Sequence, residues 1–237
     1  MIKISIFLIL FLIGTIAITH HFSSQSVDAF SHCDEPPAPS VNLSGCDLTG
    51  NNFLSVDLSN ADLRGVVLRD VNLSNANLKG ANLSDAILTG ADLSNAVLTG
   101  ADLTRADLSG AILENVTFSN ANFKGANFKG ANLSGATFED AGLSNADMSG
   151  ANLSGAKFSG VTISNAVLKG ADLTGADFSG VKLTGSDLSG AILKNVKFES
   201  ANLKGVDLSE ADLTGAFFKY VDLTRANLRG AHFEDGS

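Results

Sequence analysis

Covalent catalysis by a serine or cysteine requires a base held beside the nucleophile, and at neutral pH that base is most often histidine. The chain has four histidines, His20, His21, His32 and His232, two cysteines, Cys33 and Cys46, and a regular succession of carboxylates that includes Asp62, Asp92, Asp102, Asp107, Asp172 and Asp177. Three histidines precede position 41 and the fourth lies near the far end, so no triad can be assembled within residues 41–233. A carboxylate pair working as acid and base needs environments that push the two pKa values apart. These aspartates recur at one place in a five-residue period and so share one solvated setting. Cys33, Cys46 and the nearby His32 fall short of a four-ligand zinc cage. No catalytic, cofactor or metal site is therefore expected, and the chain reads as a non-enzyme.

The element that must position these groups is the period itself. From Leu43 to Phe233 every fifth residue is Leu, Phe, Ile or Met. Two residues before each stands Ala or Val, the exceptions being Cys46, Asn51 and Ser186. A helix repeats every 3.6 residues and a strand every 2.0, so a strict period of five requires the backbone to turn a corner in each unit. Gly, Asn or Asp usually stands two residues after the large side chain, as at Gly80, Gly90, Asn95, Gly100, Gly110 and Asn115, and these types tolerate the positive φ of tight turns. Phe118, Phe138, Phe158, Phe178, Phe198 and Phe218 are spaced by twenty, so four units complete one circuit and return each ring to the same corner. This core phenylalanine ladder is expected to stack inside the molecule.

Units such as Ala61-Asp62-Leu63-Arg64-Gly65, Ala91-Asp92-Leu93-Ser94-Asn95 and Ala171-Asp172-Leu173-Thr174-Gly175 resemble the A(D/N)LXX motif of the pentapeptide repeat family, without interruption over 41–233. The resemblance implies an all-β solenoid, a right-handed quadrilateral β-helix of about ten coils of four pentapeptides. At a strand spacing of about 4.8 Å such a rod is roughly 45 Å long.

Residues 1–29 have the build of a secretory signal peptide. Lys3 opens it, Ile4 to Ile18 is an apolar run short of the roughly twenty residues that span a bilayer, and Val27-Asp28-Ala29 places small side chains before a cut ahead of Phe30. Export to the periplasm or a thylakoid lumen is expected, with no membrane association after cleavage. Residues 30–40 hold all the prolines, Pro36, Pro37 and Pro39, and read as an extended arm that can cap the first coil. An oxidising compartment permits a Cys33–Cys46 disulfide. Equally, Cys46 stands where other units have Ala or Val, and could be a small buried side chain with Cys33 free.

Departures from the period are the guide to partners. Outward positions carry Val67 and Ile87, twenty apart, with Val97, Ile112, Val167 and Ile192 scattered elsewhere, and Phe217 is outward with Tyr220 in a turn place. Phe217 and Tyr220, then Val67 and Ile87, are the candidate interface residues. Only residues 234–237 follow Phe233, too few for a capping helix, so a homodimer through the C-terminal coil is expected. A net charge of −9 opposes nucleic-acid binding. The function expected is that of an exported scaffold for an unknown protein partner. The alternative implied by the resemblance is a DNA mimic that binds gyrase, of the quinolone-resistance class; the leader and the interspersed lysines count against it.

Overall fold

The structure, a computed structural model, describes residues 32–233. From Asn42 to Asp212 every fifth residue forms a parallel bridge with the residue twenty positions on, from Asn42↔Asp62 to Asp212↔His232. The backbone therefore stacks on itself once per four units. Each unit makes a recurring set of main-chain bonds: the Leu43 amide donates to Asp62 O at 2.8 Å, Gly45 N to Arg64 O at 2.8 Å, and Asp62 N returns a bond to Val41 O at 2.8 Å. The corner closes with Cys46 N to Leu43 O at 3.2 Å.

That set satisfies four of the five amides in a unit and leaves the one after the large apolar residue without a main-chain acceptor. The Asp or Asn before the apolar residue supplies it: Ser44 N donates to Asn42 Oδ1 at 3.0 Å, Thr104 N to Asp102 Oδ1 at 3.0 Å, and Thr174 N to Asp172 Oδ1 at 2.9 Å. These are Asx turns, and they give the Asp/Asn of the motif a structural reason. The aspartates are thus more than solvated surface groups. Where the place is taken by Val67 or Ile87 the side chain has no acceptor to offer.

Every turn residue two after the apolar centre, from Gly45 to Gly230, has positive φ, between 53° for Asp70 and 72° for Gly180. Glycine carries a further role at some corners. A Cβ on Gly80 would stand 2.6 Å from Asn60 Oδ1, so the amide of one coil occupies the space a side chain would need in the next. The interior holds the apolar residues of all four sides, with Leu63 to Leu208 and the alanines between them essentially sealed from solvent.

The phenylalanine ladder is continuous. Successive ring centroids from Phe118 to Phe218 lie 5.0, 4.9, 4.5, 5.7 and 5.2 Å apart in stacked pairs. Phe123 and Phe128 extend it sideways, Phe123 meeting Phe118 edge-on at 4.9 Å and Phe128 at 5.2 Å. Ser186 is the buried polar exception: its hydroxyl accepts from Ala166 N at 3.2 Å and donates to Ile163 O, inserting into a corner that elsewhere closes directly.

The arm departs from the fully extended expectation at one point. His32–Asp34 forms a 3-10 turn before the proline stretch, and Ser40 N joins the ladder by donating to Ser59 O at 2.8 Å. The leader and the tail after Phe233 lie outside the described residues.

Candidate functional site: the two ends of the solenoid

At the N-terminal end a disulfide joins Cys33 to Cys46, with Cα atoms 5.5 Å apart. Cys46 fills the small inward place of its unit and is buried, while Cys33 is partly exposed. The 3-10 turn sets His32 alongside: its Nε2 lies 2.9 Å from Ser44 O and 3.8 Å from Cys33 Sγ. These contacts tether the start of the arm to the first unit pair of the first coil.

The C-terminal end differs. Phe218 is only partly covered, and Leu228 and Phe233 are exposed, Phe233 by 47%. Phe217 takes the outward Asp/Asn place, bridging Lys197, and is 49% exposed. Tyr220 holds a turn at φ 58° and is 81% exposed. Lys219 lies between them in sequence, its ammonium 5.2 Å from the Tyr220 ring and 2.9 Å from Glu199. Here a cation lies against an exposed aromatic ring three residues after the exposed Phe217, with that ring on a residue strained in a turn that glycine usually fills.

The other candidate pair, Val67 and Ile87, are bridged to each other and half-buried. Val97, Ile112, Val167 and Ile192 are more exposed and stand apart. Leu54, in an outward place of the first coil, is 54% exposed and was not signalled by the five-residue pattern, because its unit keeps Phe53 in register.

Several carboxylates are held in their ionised form by donors on the same surface. Asp47 is held below its usual pKa first by the Thr49 hydroxyl and then by the Thr49 amide, and Asp212, first through Thr214, is lowered to about 2. Arg105 donates to Asp85 through Nε at 2.7 Å and NH2 at 2.5 Å, which also lowers that carboxyl. These groups stay ionised at neutral pH and have no proton to give. Among the described residues, no helix is long and apolar enough to cross a membrane.

Comparison with known proteins places the chain. Pentapeptide repeats, in eight copies, are matched over residues 40–70, 67–105, 76–115, 101–140, 151–190 and 191–235. None of the curated proteins matches it. Among solved structures it is similar to HetL, a pentapeptide repeat protein involved in heterocyst differentiation regulation from the cyanobacterium Nostoc sp. strain PCC 7120, at 37% identity over 84% of this chain and 92% of that one, with a TM-score of 0.59. It is also similar to a pentapeptide repeat protein of the Arabidopsis thaliana thylakoid lumen, at 41% identity over 41% of this chain and 68% of that one, TM-score 0.40. QnrB1, a plasmid-mediated fluoroquinolone resistance protein, matches at 24% identity over 80% of this chain and 90% of that one, TM-score 0.42. With the repeat matched along almost all of its periodic length, the chain belongs to the pentapeptide repeat family.

Proposed function

We propose that the protein is a non-enzymatic scaffold, a right-handed quadrilateral β-helix of nearly ten coils, that works outside the cytoplasm by binding another protein chain through its C-terminal end. The observation that carries this reading is Tyr220. An L-residue held in the left-handed region costs roughly 1–2 kcal/mol, and here the ring, 81% exposed, recovers none of that by burial in the chain itself. Aromatic side chains are the types enriched where protein interfaces are fully buried, and Phe217 beside it enlarges the surface. The exposed Leu228 and Phe233 on the adjoining end favour a second copy of the chain as occupant.

Export is supported by the leader-like residues 1–29 and by the Cys33–Cys46 disulfide, since such bonds persist in oxidising compartments. Likeness to HetL, itself involved in regulation, fits an interaction role. Lys157, Lys182, Lys194, Lys197 and Lys204 interleave with the aspartates, which counts against the alternative of a gyrase-binding DNA mimic, and a supercoiling assay separates the two.

The test is light scattering of the purified chain beside a Phe217→Asn/Tyr220→Gly variant, with capture from the native compartment using both. A dimer that becomes a monomer in the variant supports self-association. A monomeric wild type that captures the same proteins as the variant would refute the assignment of this corner.

A further inference from the structure

The N-terminal clasp contains more chemistry than a disulfide needs. Cys33 Sγ, Cys46 Sγ and the His32 ring nitrogen all lie within 4.8 Å of one another. Thiolate and imidazole together are the donor set of zinc and other thiophilic ions. Zinc bonds of about 2.3 Å to sulfur and 2.0 Å to nitrogen put tetrahedral ligand atoms roughly 3.5–3.8 Å apart. The present separation of Cys33 Sγ and His32 Nε2, 3.8 Å, already meets that. The two cysteine Cα atoms, 5.5 Å apart, allow the sulfurs to separate by side-chain rotation once their bond is broken.

We propose that reduction turns this clasp into a zinc site, with Cys33 Sγ, Cys46 Sγ and His32 Nε2 as ligands and a fourth position open to water. The step requires an external dithiol reductant. Its thiolate attacks Cys33 Sγ, the more accessible sulfur, the S–S bond breaks, and Cys46 Sγ leaves as a thiolate. The reductant's second thiolate then attacks its own sulfur in the mixed disulfide and releases Cys33 as a thiolate. Two electrons pass to the protein and the reductant becomes a disulfide. Zn²⁺ is held by the two thiolates and by His32 Nε2, whose proton, donated to Ser44 O in the oxidised form, moves to Nδ1 as the neutral imidazole changes tautomer. Three features set this group apart from a chance cluster: Cys46 is anchored inside the first coil, Cys33 sits on an ordered turn, and the same turn aims the imidazole at the sulfur pair. The consequence is a strap that stays fastened in either redox state, by a covalent bond when oxidised and by an ion when reduced.

The chain has only two cysteines, so a thiolate-to-metal absorption band can arise nowhere else. The full chain, reduced with a phosphine that is then removed, is titrated with Co²⁺ and afterwards with Zn²⁺. The expected result is an intense near-ultraviolet band and tetrahedral visible bands saturating at one Co²⁺ per chain, bleached by Zn²⁺, and absent from the oxidised protein. His32→Ala should weaken Zn²⁺ binding by at least about tenfold, the scale of losing even an outer-shell partner, with its far-ultraviolet circular dichroism unchanged because His32 lies outside the coils. A reduced wild type without the band would overturn the proposal. So would a His32→Ala variant that binds as tightly as wild type, since the site would then be a bare dithiol.

Discussion

Phe158 is the best place to test whether a continuous aromatic column holds the solenoid together. Its side chain is 0% exposed, and its ring lies 4.9 Å from Phe138 at an interplanar angle of 3° and 4.5 Å from Phe178 at 6°. Phe158→Ala removes the buried ring and leaves a cavity between two stacked neighbours, which costs about 3–5 kcal/mol. Phe158→Leu is the control, because the same side of the solenoid carries Leu58, Leu78 and Leu98 in earlier coils and the backbone there accepts leucine. It keeps most of the burial and loses two stacked pairs at about 0.5–1.5 kcal/mol each, so about 1–3 kcal/mol. For a chain of this size each kcal/mol moves Tm by about 2–4 °C, which gives Phe158→Ala a fall of roughly 6–20 °C. Thermal unfolding followed by far-ultraviolet circular dichroism measures the whole array. The fluorescence of Tyr220, the single tyrosine in a chain without tryptophan, follows the last coils separately. In a nearest-neighbour array the two probes should part company in the variant. A Phe158→Ala melting curve indistinguishable from wild type would refute the inward column, and equal losses for Ala and Leu would refute the cavity argument.

Gly80→Ala and Gly100→Ala make a matched pair: φ is 67° and 69°, but a Cβ at 80 meets Asn60 Oδ1 at 2.6 Å while one at 100 meets nothing within 4 Å. Gly100→Ala should cost only the left-handed strain, about 1–2 kcal/mol, and Gly80→Ala more, with the excess abolished by Asn60→Gly in a double-mutant cycle followed by urea unfolding. Acid should weaken the fold. Asp47, Asp57, Asp207, Asp212 and Asp222 have folded pKa values below the ordinary 3.8, Asp212 at about 2, through hydrogen bonds from Thr49, Ser59, Ser209, Thr214 and Thr224. Depressed carboxylates stabilise the fold above the unfolded pKa, so Tm should hold above about pH 4 and fall towards about pH 2. A Tm flat across that window would contradict it. Ser186→Ala removes the inserted hydroxyl and lets Ala166 N bond Ile163 O directly, so stability should change by no more than about 1 kcal/mol. A clearly larger loss by the same urea assay would mean the hydroxyl is required.

The architecture was legible because it is periodic, and periodicity survives without knowledge of contacts. Leu43 to Phe233 announces the interior, and the spacing of Phe118 to Phe218 announces a circuit of twenty residues, as the bridges of Asn42↔Asp62 and its successors have it. What pattern alone withheld was the purpose of Asp172 and its equivalents. That purpose depends on which amide the backbone leaves over, and this emerges only once the other four are paired. The coupling of Asn60 to Gly80 was hidden for the same reason, since it acts between coils and not within a unit. At the ends the period stops, and legibility stops with it. His32 reads only as one ligand too few beside Cys33 and Cys46 until the turn at His32–Asp34 brings its ring to the sulfurs.

The placement of strained residues argues for where the surface is used. Most turns are Gly, Asn or Asp, types with a low cost at positive φ. Arg105 is an exception with an internal compensation, because its guanidinium pairs with Asp85 in the coil before. Ser40, Ser55, Ser200, Glu210, Tyr220 and Arg225 are also exceptions, and of these Tyr220 and Arg225 fall where Phe218 and Leu223 are only partly covered and Leu228 is exposed. At Tyr220 and Arg225 the local cost falls on coils whose apolar residues are less covered than those before them. Under the proposed function, a bound chain that covers Phe217 and Tyr220 would supply the burial those side chains lack in the chain itself.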